Sequence, residues 1–516
     1  MTADDTPTLA GWRLTCLALG LASALLVAFA TTHGVGVSPN SVSYLTAARN
    51  LAAGDGLKTL NPDGSVVPLT MWAPLLPMVL ALLAKFGIDP LDSARWLGAL
   101  LSACNVFLVG LLTWRLGRSA LRAVAASWIF LFSLENLEHH TFVLSEPIFL
   151  FLSLLGIHFL SKQEDEGGRL PLILSAAAFG LAALTRHAGL SFLGGGLAAL
   201  WFIGTRDRRR FLRDATIFGV VAGAPVAAWL VRNRLVGHSA VGRPLVLQLD
   251  IVPRILKGAD TIAGWILPLS IPKWLNLVAA LVVTAAAAAV WIYGDRWSGA
   301  APRSVPIRIR RILQCLIVAY IALLGAVTLM DAWIPMSRRV LTPLFTLLLV
   351  LGLGSLPRRE RWTFGGRAVR AALLLVLALG CAFYAVRGLR WIREAHAEGL
   401  GYESVAWKHS GLMERIRTLP EETPIYTNAV EAVYHLTGRI STRVPARINR
   451  FSRIPNAEYD QEMAALEESL RDHHAVIVFL NGLEDRIYLP DRDELTRALT
   501  LHSEGEWPEG ALLRGL

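Results

Sequence analysis

Two kinds of side chain in this sequence could do chemistry: carboxylates in the polar stretches between hydrophobic runs, and arginines at the ends of those runs. Glu138 lies in Glu135-Asn136-Leu137-Glu138-His139-His140, and Glu146 opens the next apolar run between Ser145 and Pro147. Asp55 and Asp63 lie in the first long polar stretch. A carboxylate so placed could take a proton from an acceptor group or orient it, although at the first turn of a helix Glu146 is also simply favourable. Glu138 with His139 and His140 offers metal-ligand types, but adjacent residues do not share a helix face, so a solvated loop accounts for them as well. Arg186 sits in Leu184-Thr185-Arg186-His187, Arg232 in Val231-Arg232-Asn233-Arg234, and Arg339 follows Arg338 just before Val340-Leu341-Thr342-Pro343. A guanidinium grips phosphate with two parallel hydrogen bonds. Arg186, Arg232 and Arg339 therefore suggest a lipid-phosphate pocket, with snorkelling to anionic headgroups as the plain alternative.

The rest of the chain must position these groups, and its composition says how. Of 516 residues, 54% are hydrophobic and 17% charged, and the mean hydropathy is +0.47. That excludes an ordinary soluble enzyme and predicts a polytopic α-helical membrane protein. Apolar spans are expected at 14–31, 94–114, 123–134, 146–161, 171–185, 188–204, 214–231, 274–293, 311–329, 340–356 and 368–387, about eleven in all. A Pro-broken apolar stretch at 73–86 is too short to cross and suits an interfacial helix. The formal charge of +10 needs no nucleic acid. Arg115, Arg118 and Arg122; Arg206, Arg208, Arg209, Arg210 and Arg213; Arg296, Arg303, Arg308, Arg310 and Arg311; and Arg358, Arg359, Arg361, Arg367 and Arg370 all fall on one side if 73–86 does not cross. The positive-inside rule makes that side cytoplasmic, with the N-terminus, and puts the C-terminus outside. Cys16, Cys104, Cys315 and Cys381 all lie within apolar spans, in a pattern that suits neither disulfides nor zinc. The first span ends Ala28-Phe29-Ala30, a possible cleavage site, but is long for a signal peptide and is expected to stay as an anchor.

The stretch after the first span reads as an amphipathic helix lying on the membrane surface. Tyr44, Leu45, Ala48, Leu51 and Ala52 recur at helical spacing, Ser38 and Pro39 suit its start, and Gly54 and Gly56 its end. Asn40-Ser41-Val42-Ser43-Tyr44 followed by Gly54-Asp55-Gly56 resembles the first extracytoplasmic loop of the polyprenyl-phosphate-dependent glycosyltransferases of the GT-C superfamily. The likeness is to the family 39-like bacterial members akin to protein O-mannosyltransferases and aminoarabinose transferases. Those proteins carry Asp-Ser-x-x-Tyr, and this chain has Asn40 in the acidic position. Arg339-Val340-Leu341-Thr342-Pro343 resembles the family's Arg-x-x-x-Pro signature.

The resemblance implies an inverting transfer of a sugar from a polyprenyl-phosphate donor to an extracytoplasmic acceptor, in the bacterial inner membrane. Membrane lipid and the donor are the implied partners, and the acceptor (glycan, lipid or protein) is left open. The implied site comprises Asn40, Asp55, Glu138 and Glu146, with Arg186, Arg232 and Arg339 for the phosphate. No metal ligands are assigned, and a divalent cation is the one cofactor the chemistry suggests. An amide at position 40 cannot accept a proton, which supports a second reading: a catalytically silent relative that binds lipid-linked sugar or a partner protein. A transporter fits less well, because the spans hold few ionisable groups at mid-depth.

Past Arg387 the composition turns polar. Residues 1–389, with the loop 32–93, are expected to form the transmembrane domain, and 390–516 a small extracytoplasmic α/β domain. Helices are expected at 404–419, 431–436 (ended by Gly438) and 459–473, and strands at 424–428 and 475–480.

Overall fold

The structure is a computed structural model and describes residues 6–163, 169–204, 207–237, 239–240, 242, 246–248, 250–267, 272–298, 304–331, 334–356, 366–450, 452–483 and 486–515. Arg206, Arg303, Arg358, Arg359 and Arg361 of the expected basic clusters lie outside these residues. The order begins with α1 (Thr6–Ala30), α2 (Pro39–Ala53), β1 (Lys58–Leu60), β2 (Val66–Pro68), α3 (Leu75–Ala84), α4 (Pro90–Gly117), α5 (Ala120–Phe132) and α6 (Leu134–His140). It continues with α7 (Glu146–Leu160), α8 (Leu170–Thr185), α9 (Gly189–Ile203), α10 (Arg208–Gly237), α11 (Val252–Ala263), α12 (Lys273–Ser298), α13 (Val305–Met330), α14 (Arg338–Ser355) and α15 (Gly366–Glu398). The C-terminal part holds α16 (Val405–Lys408), α17 (Gly411–Arg417), β3 (Ile425–Thr427), α18 (Val430–Thr437), β4 (Thr442–Arg443), α19 (Tyr459–Asp472), β5 (Val476–Leu480), α20 (Arg492–Leu499), β6 (Leu501–Trp507) and β7 (Gly510–Gly515).

Every expected span falls on a helix, and the protein is a multi-pass membrane protein. Among the described residues seven helices are long and apolar enough to cross a bilayer, or eight if α5 and α6, bent by 52°, form one span. The helices α7, α8 and α9 have 15, 16 and 15 residues. At 1.5 Å per residue they reach about 22–24 Å, short of a hydrocarbon core of about 30 Å. They pack inside the bundle, where Phe149, Phe192 and Tyr320 stack with centroids 5.2 and 5.8 Å apart.

Two expectations need correction. The helix over 38–54 forms, with Ser38 and Ser41 capping each other and Gly54 closing it in the left-handed conformation at φ 98°. It does not lie open on a membrane surface, however: Val42, Tyr44, Leu45 and Ala48 share one buried core with Leu412, Met413 and Val478 of the C-terminal part. The close approach is set at Gly401, where a Cβ would meet the Val37 carbonyl oxygen at 2.2 Å and φ is +55°. The helix expected over 404–419 is broken, because the Ser410 side chain accepts from the Met413 amide and starts a new one. Gly438 does end α18, at φ 76°. The five strands are ordered β4-β3-β5-β7-β6, parallel across β4, β3 and β5 and antiparallel from β5 through β7 to β6.

Candidate active site

Three chain breaks bring the chemistry together. Glu146 is the first residue of α7, with Pro147 behind it. Arg186 ends α8 in extended conformation, φ −152° and ψ 136°, before α9 starts. Arg338 and Arg339 open α14 after Ser337. At this junction the Glu146 side chain, 1% exposed, is ion-paired with both Arg186 and Arg339 through Oε1, and Arg339 Nη2 lies 3.4 Å from Oε2. One carboxylate between two guanidiniums leaves a net positive charge, and Arg186 Nε is buried with no hydrogen-bond partner among the described residues. The Tyr44 hydroxyl sits 3.3 Å from Ser145 Oγ and within hydrogen-bonding reach of Arg339. Trp72 meets the Tyr44 ring edge-on at 5.8 Å.

The short helix α6 supplies the neighbouring groups. Glu138, with 31% of its side chain exposed, is ion-paired with Arg338. His139 and His140 point away from it, each turning Nδ1 to a carbonyl one turn back, Glu135 O and Asn136 O. Asn105 braces the junction, its amide nitrogen 3.0 Å from His140 Nε2 and 3.1 Å from the Pro147 carbonyl oxygen. Among the described residues no three His, Cys, Asp or Glu side chains group closely enough to hold a metal. Glu135 is buried, and neither carboxylate oxygen has a hydrogen-bond partner among the described residues; it feels the charges of Arg387, Arg338 and Glu138.

The other sequence candidates fall elsewhere. Asn40 is half-buried in the first turn of α2, one turn before Tyr44 and so on the same helix face. Asp55 is exposed in the turn after α2. Asp63 accepts from the Ser65 amide and hydroxyl. Slight burial works against its charge, but those bonds and one from Asn61 hold it below the ordinary carboxylate range. Arg232 donates to the Leu69 carbonyl at 2.5 Å and lies over the Trp229 ring. It thus pins the strand that leads to Trp72 instead of joining Arg186 and Arg339. Glu135, Ser145 and Tyr44 were missed as candidates; Tyr44 was detectable from its spacing of four from Asn40. A small crevice lined by Leu76, Leu97, Leu101, Val143, Pro147 and Ile148 lies at the start of α7.

Fold and site together define a polytopic membrane protein whose spans carry a carboxylate and two arginines to one junction. The family model of the dolichyl-phosphate-mannose-protein mannosyltransferases matches residues 78–219, a stretch that contains Glu138, Glu146 and Arg186. The whole fold is similar to that of ArnT from Cupriavidus metallidurans, in a crystal structure bound to undecaprenyl phosphate. The match has TM-score 0.56 and 14% identity and covers 97% of this chain and 98% of that one. The same ArnT in its apo state matches with TM-score 0.48 and 14% identity, over 99% of this chain and 98% of that one. A comparison with curated proteins finds no match.

Proposed function

We propose that the protein is a membrane glycosyltransferase that moves a sugar from a polyprenyl-phosphate donor to an extracytoplasmic acceptor. The observation that carries this reading is the pair of guanidiniums of Arg186 and Arg339 held by one buried carboxylate, Glu146. It occurs in the fold of a protein crystallised with undecaprenyl phosphate. Paired arginines suit a phosphate that gains charge as its bond to the sugar breaks. Glu146 acts here as a positioning residue that fixes both guanidinium forks, not as the base, since both its oxygens are engaged.

Glu138 is the proton acceptor in this reading, being the most exposed carboxylate beside the arginines. The acceptor oxygen or nitrogen attacks the anomeric carbon and gives its proton to Glu138. The carbon–phosphate oxygen bond breaks, and its electron pair leaves with the phosphate, between Arg186 and Arg339. Purified protein offered a panel of polyprenyl-phosphate sugars should release polyprenyl phosphate, and Glu138→Gln should lower that rate by about 10²–10⁴-fold. Wild-type turnover unchanged by Glu138→Gln would place the base elsewhere. Asn40, where the resembled family has an acid, favours one rival: a silent relative that binds the donor through its arginines and transfers nothing. The same panel then gives binding without release.

The basic clusters support a bacterial cytoplasmic membrane with the N-terminus inside and the C-terminal domain, from residue 390 on, outside. A cysteine placed at Asn481 should react with an impermeant thiol reagent in intact cells. Reaction only after lysis would reverse the topology.

A further inference from the structure

The C-terminal part carries its own group of arginines. Between Arg439 and Arg453 the chain has five arginines and no carboxylate, a run of one sign that the catalytic junction does not use. Two of the five are occupied by the fold. Arg439 donates to the carbonyls of Leu419 and Pro420 at 2.8 and 2.7 Å, and Arg447 pairs with Glu494 at 2.8 Å. Arg443 is different. It ends β4, and its Nε is buried with no hydrogen-bond partner among the described residues. Its guanidinium lies 5.8 Å from the centre of the Tyr488 ring, and that of Arg450 lies 5.7 Å from the same centre. The ring attracts each cation, but two cations on one ring repel each other. Burial holds the Arg450 guanidinium below its ordinary value; the charges of Arg486 and Arg443 add to this, while Tyr488 and Glu431 oppose it.

The place of these groups in the sheet is informative. Strands β4, β3 and β5 run parallel, and Arg443 lies at the carboxyl end of β4. Arg486 reaches the carboxyl end of β3, where it donates to the Asn428 carbonyl and pairs with Glu431 at the start of α18. In open parallel sheets ligands sit outside the carboxyl ends of the strands, where the strand order reverses. Here β4 follows β3 on one side, and β5 lies on the other. The group is also tied to the outer loops of the membrane part. The Arg443 amide donates to the Pro62 carbonyl at 2.8 Å, and the Ser452 carbonyl accepts from Gln248 Nε2 at 3.4 Å. Tyr402 donates its hydroxyl to Glu431 at 3.3 Å and its amide to the Val37 carbonyl, just ahead of α2, at 2.9 Å.

We propose that Arg443 and Arg450, at the carboxyl edge of the C-terminal sheet, form an oxyanion site that takes an acidic group, phosphate or carboxylate, carried by the acceptor. A guanidinium offers such a group two parallel donors, and an oxyanion between the two arginines offsets their repulsion. The site is separate from Arg186 and Arg339. Oxyanion binding stands by itself; its assignment to the acceptor rests on the transferase reading above.

The test uses the full chain in phosphatidylcholine nanodiscs, treated with phenylglyoxal, which modifies accessible guanidiniums. Peptide mass spectrometry locates the modified arginines. Glucose 6-phosphate or glucuronate should slow modification of Arg443 and Arg450 several-fold relative to glucose at matched ionic strength. Arg447, held by Glu494, should be unaffected. Arg443→Lys keeps the charge but loses the two-pronged donor, and should weaken the protection of Arg450. Equal rates with and without both probes would overturn the site, and so would protection of Arg450 that Arg443→Lys leaves intact. Protection by phosphatidylglycerol nanodiscs with no probe added would give the site to bilayer headgroups and overturn the acceptor assignment. The readout needs no turnover. A donor panel that releases no polyprenyl phosphate would overturn the transferase reading, and the acceptor assignment with it, and leave the oxyanion site standing.

Discussion

Glu146 and Glu504 each bind two arginines, yet they sit in opposite settings. Glu504 lies on β6 and joins Arg415 of α17 to Arg514 of β7 with a quarter of its side chain exposed, whereas Glu146 is 1% exposed. Taking an ion out of water is unfavourable by several kcal/mol, and mutual attraction repays this only with good geometry. A buried carboxylate with two guanidiniums is therefore a poor way to stabilise a bundle that apolar packing would hold as well. Around Glu504, by contrast, the charges remain in water and tie a hairpin to a helix at little desolvation penalty. The difference teaches that ion-pair count says little about role. The Glu146 site combines burial with one carboxylate set against two guanidiniums, features that an anionic ligand would use.

The comparison breaks most sharply at Glu146→Gln. That change leaves two half-buried guanidiniums without their buried counter-charge, and breaking a buried pair is typically destabilising by about 3–5 kcal/mol. Misplaced arginines should also lower donor turnover by roughly 10²-fold. Thermal unfolding and donor kinetics on the same preparation measure both effects. If instead Glu146→Gln leaves stability and turnover as Glu504→Gln does, the two sites are equivalent and Glu146 is a fold residue only.

Why was one region legible and the other not? The spans were legible because hydropathy is local, and the beginning of α7 was legible because Glu146-Pro147 is a helix start. The pairing of Glu146 with Arg186 and Arg339 joins residues 40 and 193 positions apart, and no window of sequence shows that. Arg232 had the same sequence signal as Arg186, an arginine at a span end, yet it was captured by the Leu69 carbonyl. Side-chain reach decided between them. The stripe on α2 was read correctly as apolar, but its partner was taken to be lipid when it is α3, α4 and the C-terminal part. The β6–β7 hairpin escaped notice because His502, Ser503 and Glu504 give β6 little strand character.

A smaller effect is expected at position 40, and it sharpens what separates the site from its surroundings. Asn40 shares a helix face with Tyr44 but makes no ion pair. Asn40→Asp would place a carboxylate one helical turn from Tyr44. If Glu138 is the base, transfer should change by less than the roughly 10²-fold that loss of a base produces. A silent wild type that gains turnover in Asn40→Asp would instead show that the site is complete except for this one carboxylate. The rates of wild type, Asn40→Asp and Glu138→Gln at matched expression separate the two outcomes.

The smallest effect is expected at Glu504, where the comparison rests on charge in water. Burial pushes the Glu504 carboxyl up, but the hydrogen bonds from Arg415 and Arg514 outweigh it and hold the group below its ordinary value. A depressed carboxylate adds stability above its unfolded pKa, roughly 4.3, and loses it as the pH falls through the folded value. Glu504→Gln should therefore destabilise the protein by about 1 kcal/mol or less near pH 7. The difference from wild type should shrink on acidification below about pH 4, because the wild-type carboxyl is then neutral as well. High salt should shrink it too, since Glu504 and its arginines are solvent-accessible and the charges are screened. Donor turnover should not change, since the ion pairs of Glu504 go to Arg415 and Arg514. A loss of several kcal/mol, or one that persists at low pH and high salt, would mean that the Glu504 cluster is held as tightly as the Glu146 cluster. The contrast between them could then not be one of burial.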